Sequence, residues 1–243
     1  MFFSYIDGAE VVLRGNAFIG LTGGPAADFN MALFDEDPDA IAVFDDFISR
    51  VNATGVCAVA LLSGAASRRL DPVAKAKGLI EAGSAPLMAR SGALQDTPAS
   101  EFVTKRISEP REMSIFGDLA SSAFAMDRAW VDRTFAAASL LDSPAMDFYV
   151  AYRQDVPMSA VCSSRAGSIV GIWTMSTPPD KQRQGAGRAV LLAAMQDHVA
   201  RGAETFYLIA TAAGKPLYDN LGFEIVDELS IWLVGESSQF PAH

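Results

Sequence analysis

Six residues, Gln182-Arg183-Gln184-Gly185-Ala186-Gly187, constrain this chain more than any other stretch. They follow a β-like run ending at Ser176, by way of Thr177-Pro178-Pro179-Asp180-Lys181, and lead straight into a helical pattern. Glycine at 185 and 187 lets the backbone approach a ligand closely, while the first N–H groups and the positive dipole end of the helix face the same point. A pyrophosphate fits such a place. Gln184 through Ala189 would supply backbone donors, and Arg183 and Arg188 stand beside them to add charge-assisted contacts.

Other phosphate-binding loops fit less well. No Lys-Ser or Lys-Thr follows the last glycine, so the Walker pattern fails. A dinucleotide fingerprint fits poorly: several residues separate the strand from the glycines, Val190 stands at the third glycine position, and the acidic candidate Glu204 starts the following strand.

The turn sits within an alternating order of elements. Phe102–Ile107 reads as a strand, Ser114–Met126 and Arg128–Leu140 as two helices with Asp127 as cap or break between them. Asp147–Arg153, Met158–Ser163 and Ser168–Ser176 read as an antiparallel meander with turns at Gln154-Asp155-Val156-Pro157 and Arg165-Ala166-Gly167. After the glycines, Val190, Leu191, Ala194, Met195, His198 and Val199 mark one helical face, and Gly202 stands where a C-cap glycine belongs. A β run at Thr205–Ala210, a short helix at Gly214–Leu221 and two closing strands, Phe223–Val226 and Leu229–Val234, complete the half. The fold class is mixed α/β.

The first half repeats part of this order. A helix-like opening, Tyr5–Leu13, leads through a glycine-rich stretch to a β run at Phe29–Phe34. A helix at Asp39–Val51, a strand at Val56–Leu62, a helix at Pro72–Glu81 and a strand at Pro86–Ala89 follow. Lys77-Gly78-Leu79-Ile80 occupies the place that Leu221-Gly222-Phe223-Glu224 holds in the second half. The small, polar, aperiodic stretch 91–100 separates the two, giving domains 1–97 and 98–243. We read a degenerate internal duplication.

Composition narrows the function. The net charge of -10 repels a nucleic-acid backbone, and Lys and Arg form no dense run. Cys57 and Cys162 lie in apolar or β-like runs without C-x-x-C spacing, which reads as two buried reduced thiols and no metal site. The opening residues lack a basic leader and meet Asp7 and Glu10 before any apolar stretch of signal-peptide or membrane-span length, so the expectation is a cytoplasmic protein without a membrane partner.

The glycine turn resembles the signature of the GNAT superfamily of acyl-coenzyme A dependent N-acetyltransferases: Gln or Arg, two residues, Gly, one residue, Gly or Ala, here Gln182, Gly185 and Gly187. Downstream, Pro216-Leu217-Tyr218-Asp219-Asn220-Leu221-Gly222-Phe223-Glu224 is similar to the family's Leu-Tyr-x-x-x-Gly-Phe element. The resemblance covers roughly residues 100 to 235 and implies a GNAT fold there, with a degenerate GNAT-like first half that lacks the signature and carries Ala74 at the repeat position of Tyr218. It also implies acetyl-coenzyme A, or another acyl-coenzyme A, as co-substrate, an amine of a small molecule or peptide as acceptor, and no metal. A homodimer is compatible with it.

By the same resemblance, a neutral amine attacks the thioester carbonyl directly. Backbone N–H groups near a splay or bulge at Thr174 and Met175 hold the acyl carbonyl, Tyr218 gives a proton to the leaving thiolate, and Trp173, Met175 and Phe206 are candidates to line the acyl pocket. Thr211 replaces the asparagine that the family often places seven residues before the tyrosine; its hydroxyl can still hydrogen-bond the pantetheine arm. No base stands out: Asp147, Asp180 and Glu101 read as surface carboxylates, and His198 as packing or surface. The competing reading is a non-catalytic acyl-coenzyme A sensor.

Overall fold

Turn chemistry and alternation build the strands that carry the site. Gln154 and Asp155, both at positive φ of 50° and 64°, make the two-residue turn of a tight hairpin between β7 (Met146–Arg153) and β8 (Val156–Ala166). Gly167, at φ 63°, opens the next turn into β9 (Ile169–Ser176), and the three strands pair antiparallel. The computed structural model describes residues 3, 6, 8–92, 100–135 and 138–235, so the expected boundary at 97/98 lies outside the described residues. Two compact units emerge. The C-terminal unit comprises 89–208 and 216–224 with Phe3, and the N-terminal unit 6–88, 209–215 and 225–235, within the described residues.

In the C-terminal unit β6 (Val103–Arg106), β7, β8, β9 and β10 (Thr205–Ile209) lie side by side in that order. Helices α3 (Pro110–Phe124), α4 (Arg128–Phe135) and α5 (Ala138–Asp142) follow β6 in the chain. α3 starts from a capping box of Glu109 and Glu112 with Pro110 in its first turn, and Asp127 accepts the Trp130 N–H at 2.9 Å at the start of α4. Phe116 meets Phe135 and Phe148 edge to face at 5.0 and 5.1 Å, tying both helices to β7. Burying side chains of this size stabilises the unit by about 2–3 kcal/mol each. On α6 (Ala186–Ala200), Val190, Leu191, Ala194, Met195 and His198 are buried as expected, while Leu192 is buried as well and Val199 is exposed. α6 is the crossover that makes β9 and β10 parallel. The unit is completed by the end of β5 (Ile80–Ser91), the strand beside β10, where Ser91 and Thr205 hydroxyls meet at 2.9 Å.

The N-terminal unit repeats the second part of that order. β1 (Glu10–Arg14), β2 (Ala17–Leu21) and β3 (Asn30–Phe34) form an antiparallel meander. α1 (Ala40–Thr54) then crosses to the parallel strand β4 (Ala58–Leu62), followed by α2 (Gly64–Ala76). Phe34, Phe44 and Phe47 pack edge to face in its core. Beside β4 lies β11 (Glu224–Val234), whose buried Trp232 donates its Nε1–H to Asp71 at 2.8 Å. The sequence β1-β2-β3-α1-β4-α2-β5 thus parallels β7-β8-β9-α6-β10-α7-β11, with α7 at Lys215–Asp219, and among the described residues β6 and α3 to α5 have no counterparts before β1.

Four expectations need correction. Residues 10–14 of the presumed opening helix are strand β1, because Val11 and Val12 prefer a pleated surface and Gly15 turns the chain into β2, which the glycine-rich composition had hidden; Tyr5 and Asp7 lie outside the described residues. The second helix runs over Gly64–Ala76 and not Pro72–Glu81: Ser63 caps it by accepting the Ala66 N–H at 3.1 Å, and Pro72 sits on its exposed side. Residues 80–91 then form one long strand. β11 is likewise continuous, since Asp227, taken for a break, accepts the Gly64 N–H at the positive end of α2.

Candidate active site

The turn, the bulge and the tyrosine all belong to the C-terminal unit. β9 gains one residue over β8: Cys162 pairs with Trp173 and Ala160 with Ser176, leaving Thr174 and Met175 opposite Val161 alone. Thr174 takes φ 46°, the left-handed conformation of a bulge residue. Hydroxyls fix this irregularity. Ser176 Oγ donates to the Thr174 carbonyl at 2.9 Å, Ser159 Oγ donates to the Ser176 carbonyl at 2.9 Å, and Ser159 and Thr177 hydroxyls meet at 2.8 Å. Ser159 and Ser176 are fully buried, so these partners replace water.

Three residues before the bulge the pairing of β9 with β10 ends. Their parallel register covers Ile169 with Thr205, Val170 with Phe206 and Gly171 with Tyr207, and stops there although β9 continues to Ser176. Past Gly171 the register pairs no described residue of β9 with β10, so backbone donors of β9 on that side are not taken up by the neighbouring strand. Trp173, two residues past the last such pair, is held by its Nε1–H on Ser164 Oγ at 2.7 Å and by an edge-to-face contact with Tyr207 at 5.6 Å. Phe206 is buried, with its ring 6.4 Å from that of His198.

The glycine turn lies next. Arg183 takes φ 60° and Gly185 φ 89°, and Gly185 caps α6. The Ala189 N–H donates to the Gly185 carbonyl at 3.0 Å, so the N–H groups that the helix itself leaves over are those of Ala186, Gly187 and Arg188. A Cβ at Gly187 would stand 3.3 Å from both Met175 Cε and Thr177 Oγ1, and 3.8 Å from Leu217. This glycine therefore lets the helix start close against the bulge strand and the segment carrying Tyr218. Gln182 donates to the Thr177 carbonyl at 3.1 Å and Gln184 to that of Asp180 at 3.2 Å, while Arg153 donates to Gln184 Oε1 at 2.5 Å. These bonds shape the loop, and the Arg183 and Arg188 side chains remain exposed above it.

Tyr218, on α7, is 6% exposed and packs edge to face on Phe223 at 5.9 Å. Burial pushes its phenol up to about 12, so it stays protonated at every physiological pH. Thr211 lies in the other unit, exposed, its hydroxyl accepting the Gly214 N–H at 3.1 Å.

The base candidates separate clearly. Asp147 is 2% exposed, not a surface group: it pairs with Arg106 and with Arg201 at 2.7 Å. His198 is fully buried; Arg201 lies 3.1 Å from its Nδ1 and Ser163 Oγ 2.7 Å from its Nε2. A guanidinium can only donate, so Nδ1 is the acceptor and the ring is neutral with its proton on Nε2. Burial first, then the Arg201 charge, lower His198 to about 4 against the pull of Asp147 and Asp197. Glu101 lies 3.7 Å from Arg153, and Asp180 is exposed. The serine-threonine set behind the bulge escaped sequence reasoning, because isolated hydroxyl residues in strands carry no pattern.

The family model for the acetyltransferase (GNAT) domain matches residues 122–230, which include the bulge strand, the glycine turn and Tyr218. A GCN5-related N-acetyltransferase from Kribbella flavida has a similar fold, with a TM-score of 0.71 at 17% identity, covering 94% of this chain and 90% of that one. A tandem GNAT protein from the clavulanic acid biosynthesis pathway matches with a TM-score of 0.62 at 13% identity, over 94% and 80%. A GCN5-related N-acetyltransferase from Sphaerobacter thermophilus gives 0.63 at 11%, over 90% and 76%. No curated protein matches the sequence. Residues 122–230 therefore match a GNAT acetyltransferase domain, and the fold over nearly the whole length is similar to that of GNAT proteins, with the tandem protein fitting its two-part order. Among the described residues no cluster of His, Cys, Asp or Glu could hold a metal, and no helix is long and apolar enough to cross a membrane. Both cysteines are free and buried.

Proposed function

We propose that the C-terminal unit transfers an acyl group, with acetyl the first candidate, from acyl-coenzyme A to an amine of a small molecule or peptide. The observation that carries this reading is the coincidence, within one unit, of parallel strands whose pairing ends at Gly171 and Tyr207, a bulge at Thr174 and a glycine-capped helix start at Gly185. The pyrophosphate would take the N–H groups of Ala186, Gly187 and Arg188, with Arg183 and Arg188 adding charge. The pantetheine arm would lie along β9, and the N–H groups near Thr174 and Met175 would receive the acyl oxygen.

In this reading the amine nitrogen bonds to the thioester carbon, the carbonyl becomes an oxyanion, and its collapse breaks the carbon–sulfur bond. The Tyr218 hydroxyl proton passes to the departing thiolate, while the new ammonium loses its proton to water. A phenol near 12 is a weak acid for a thiolate whose conjugate acid has a solution pKa near 8.5. The same burial raises the thiolate's basicity, which narrows that gap. A water relay fits the site, since Asp147 and His198 are occupied by structural partners.

Among its described residues the N-terminal unit offers no second site of this kind. β3 and β4 stay paired through Phe34 and Leu62, and the segment before α1 is acidic, Asp35-Glu36-Asp37-Pro38-Asp39. One alternative retains an argument: Thr211 uses its hydroxyl on its own turn, which favours a sensor that binds acyl-coenzyme A without turnover. Thermal stabilisation by acetyl-coenzyme A, coenzyme A and longer acyl forms, followed by thiol release with an amine library, separates the readings. Binding with turnover supports the transferase, binding without turnover the sensor, and no binding removes both.

A further inference from the structure

The last residues of β5, which come from the first half of the sequence, belong to the C-terminal unit. Ser91 joins β10 through Thr205, and Arg90 reaches in the direction of the tyrosine segment. Its Nη1 donates to the carbonyl of Leu221, and a Cβ on Gly222 would stand 3.4 Å from Nη1 and 3.9 Å from Cζ, so the guanidinium lies close against that glycine. Leu221 and Gly222 form the turn that closes α7. The N–H groups of Leu221 and Phe223 both donate to the Tyr218 carbonyl at 3.0 Å, and the Gly222 N–H donates to Asp219 at 3.0 Å. A helix of five residues does not hold itself together, and its end needs partners for its carbonyls. The guanidinium supplies one, at the terminus where a cation suits the helix dipole.

We propose that Arg90 is a positioning residue for Tyr218, fixing the turn that follows the tyrosine and so its orientation. This rests on the transferase reading, in which Tyr218 is the acid. It also gives the first half a task in the reaction: it supplies the strand that steadies the tyrosine. A planar guanidinium suits the contact with Gly222 better than an ammonium, so Arg90→Lys should restore only part of the effect.

The test uses the full chain with Arg90→Ala, Arg90→Lys and Tyr218→Phe. In protein labelled with ¹³Cζ-tyrosine, the resonance missing from Tyr218→Phe is that of Tyr218, and its titration midpoint needs no acceptor. The native midpoint is expected near 12, with a fall of one unit or more in Arg90→Ala and an intermediate value in Arg90→Lys. Thiol release from acetyl-coenzyme A, with water or the best amine as acceptor, is expected to drop about tenfold in Arg90→Ala and to recover partly with millimolar guanidinium, while acetyl-coenzyme A affinity changes less than about twofold. An unchanged midpoint and rate would overturn the proposal, as would a parallel loss of affinity, melting temperature and rate. If Tyr218→Phe keeps full thiol release, the general-acid reading fails, and the midpoint shift still decides whether Arg90 positions Tyr218.

Discussion

Ser176 donates its hydroxyl to the Thr174 carbonyl at 2.9 Å, closing the one-residue excess of β9 into a fixed bulge. Without that bond the left-handed Thr174 has no side-chain tie, and the donors beside it lose their aim. Ser176→Ala is expected to lower stability by about 1 kcal/mol in urea unfolding. Initial rates are expected to fall about tenfold or more, with acetyl-coenzyme A affinity little changed. An unaltered rate would show that the bulge does not hold the acyl oxygen.

Tyr218→Phe removes one oxygen from a buried ring. We expect kcat to drop about 10²- to 10⁴-fold at constant acetyl-coenzyme A affinity. With its phenol near 12, Tyr218 should impose no alkaline limb on kcat below about pH 11. The rate should instead rise with pH as the acceptor amine loses its proton. A pH–rate profile that falls near pH 9 in the native chain and not in a slower Tyr218→Phe variant would contradict this.

The two glycines fail differently. Gly185 at φ 89° cannot take a side chain without about 1–2 kcal/mol of strain, so Gly185→Ala should lower the melting temperature as well as cofactor affinity. Gly187 lies inside α6, where a methyl group would press on Met175 and Thr177 at 3.3 Å. Gly187→Ala should therefore cost affinity with a smaller change in melting temperature, read by calorimetry on both variants.

His198 makes stability depend on pH. Its native pKa of about 4 lies below the unfolded value near 6.5, so the unfolded chain takes up the proton first. The contribution is present above about pH 6.5 and is lost as pH falls to about 4, on the order of 3 kcal/mol in all. Urea midpoints at pH 7 and pH 5 should differ in the native chain and converge in His198→Gln, whose amide can still reach Ser163.

The meander at 146–176, the crossover helix and the glycine turn were legible because each carries a period or a conformational demand that sequence displays. The bulge was legible through family resemblance, and the structure shows its cause in the register of Ala160 and Cys162 against β9. Helix α2 was misplaced because Gly64-Ala65-Ala66 offers little apolar signal and Pro72 suggested a start. The interior of β11 hid for another reason: Asp227 serves as acceptor at the start of α2, a partner far away in sequence. Asp147 was taken for a surface carboxylate because nothing local announces that Arg106 and Arg201 converge on it.

The central claim is a single acyl-coenzyme A site at the start of α6, tested by titration calorimetry of acetyl-coenzyme A into the full chain and into a Gly185→Asp, Gly187→Asp double variant. The account predicts one molecule bound per chain with micromolar affinity, and no binding to the folded double variant, whose carboxylates would occupy the donors and repel the pyrophosphate. Two sites per chain, or undiminished binding by the double variant, would place the cofactor elsewhere and contradict it.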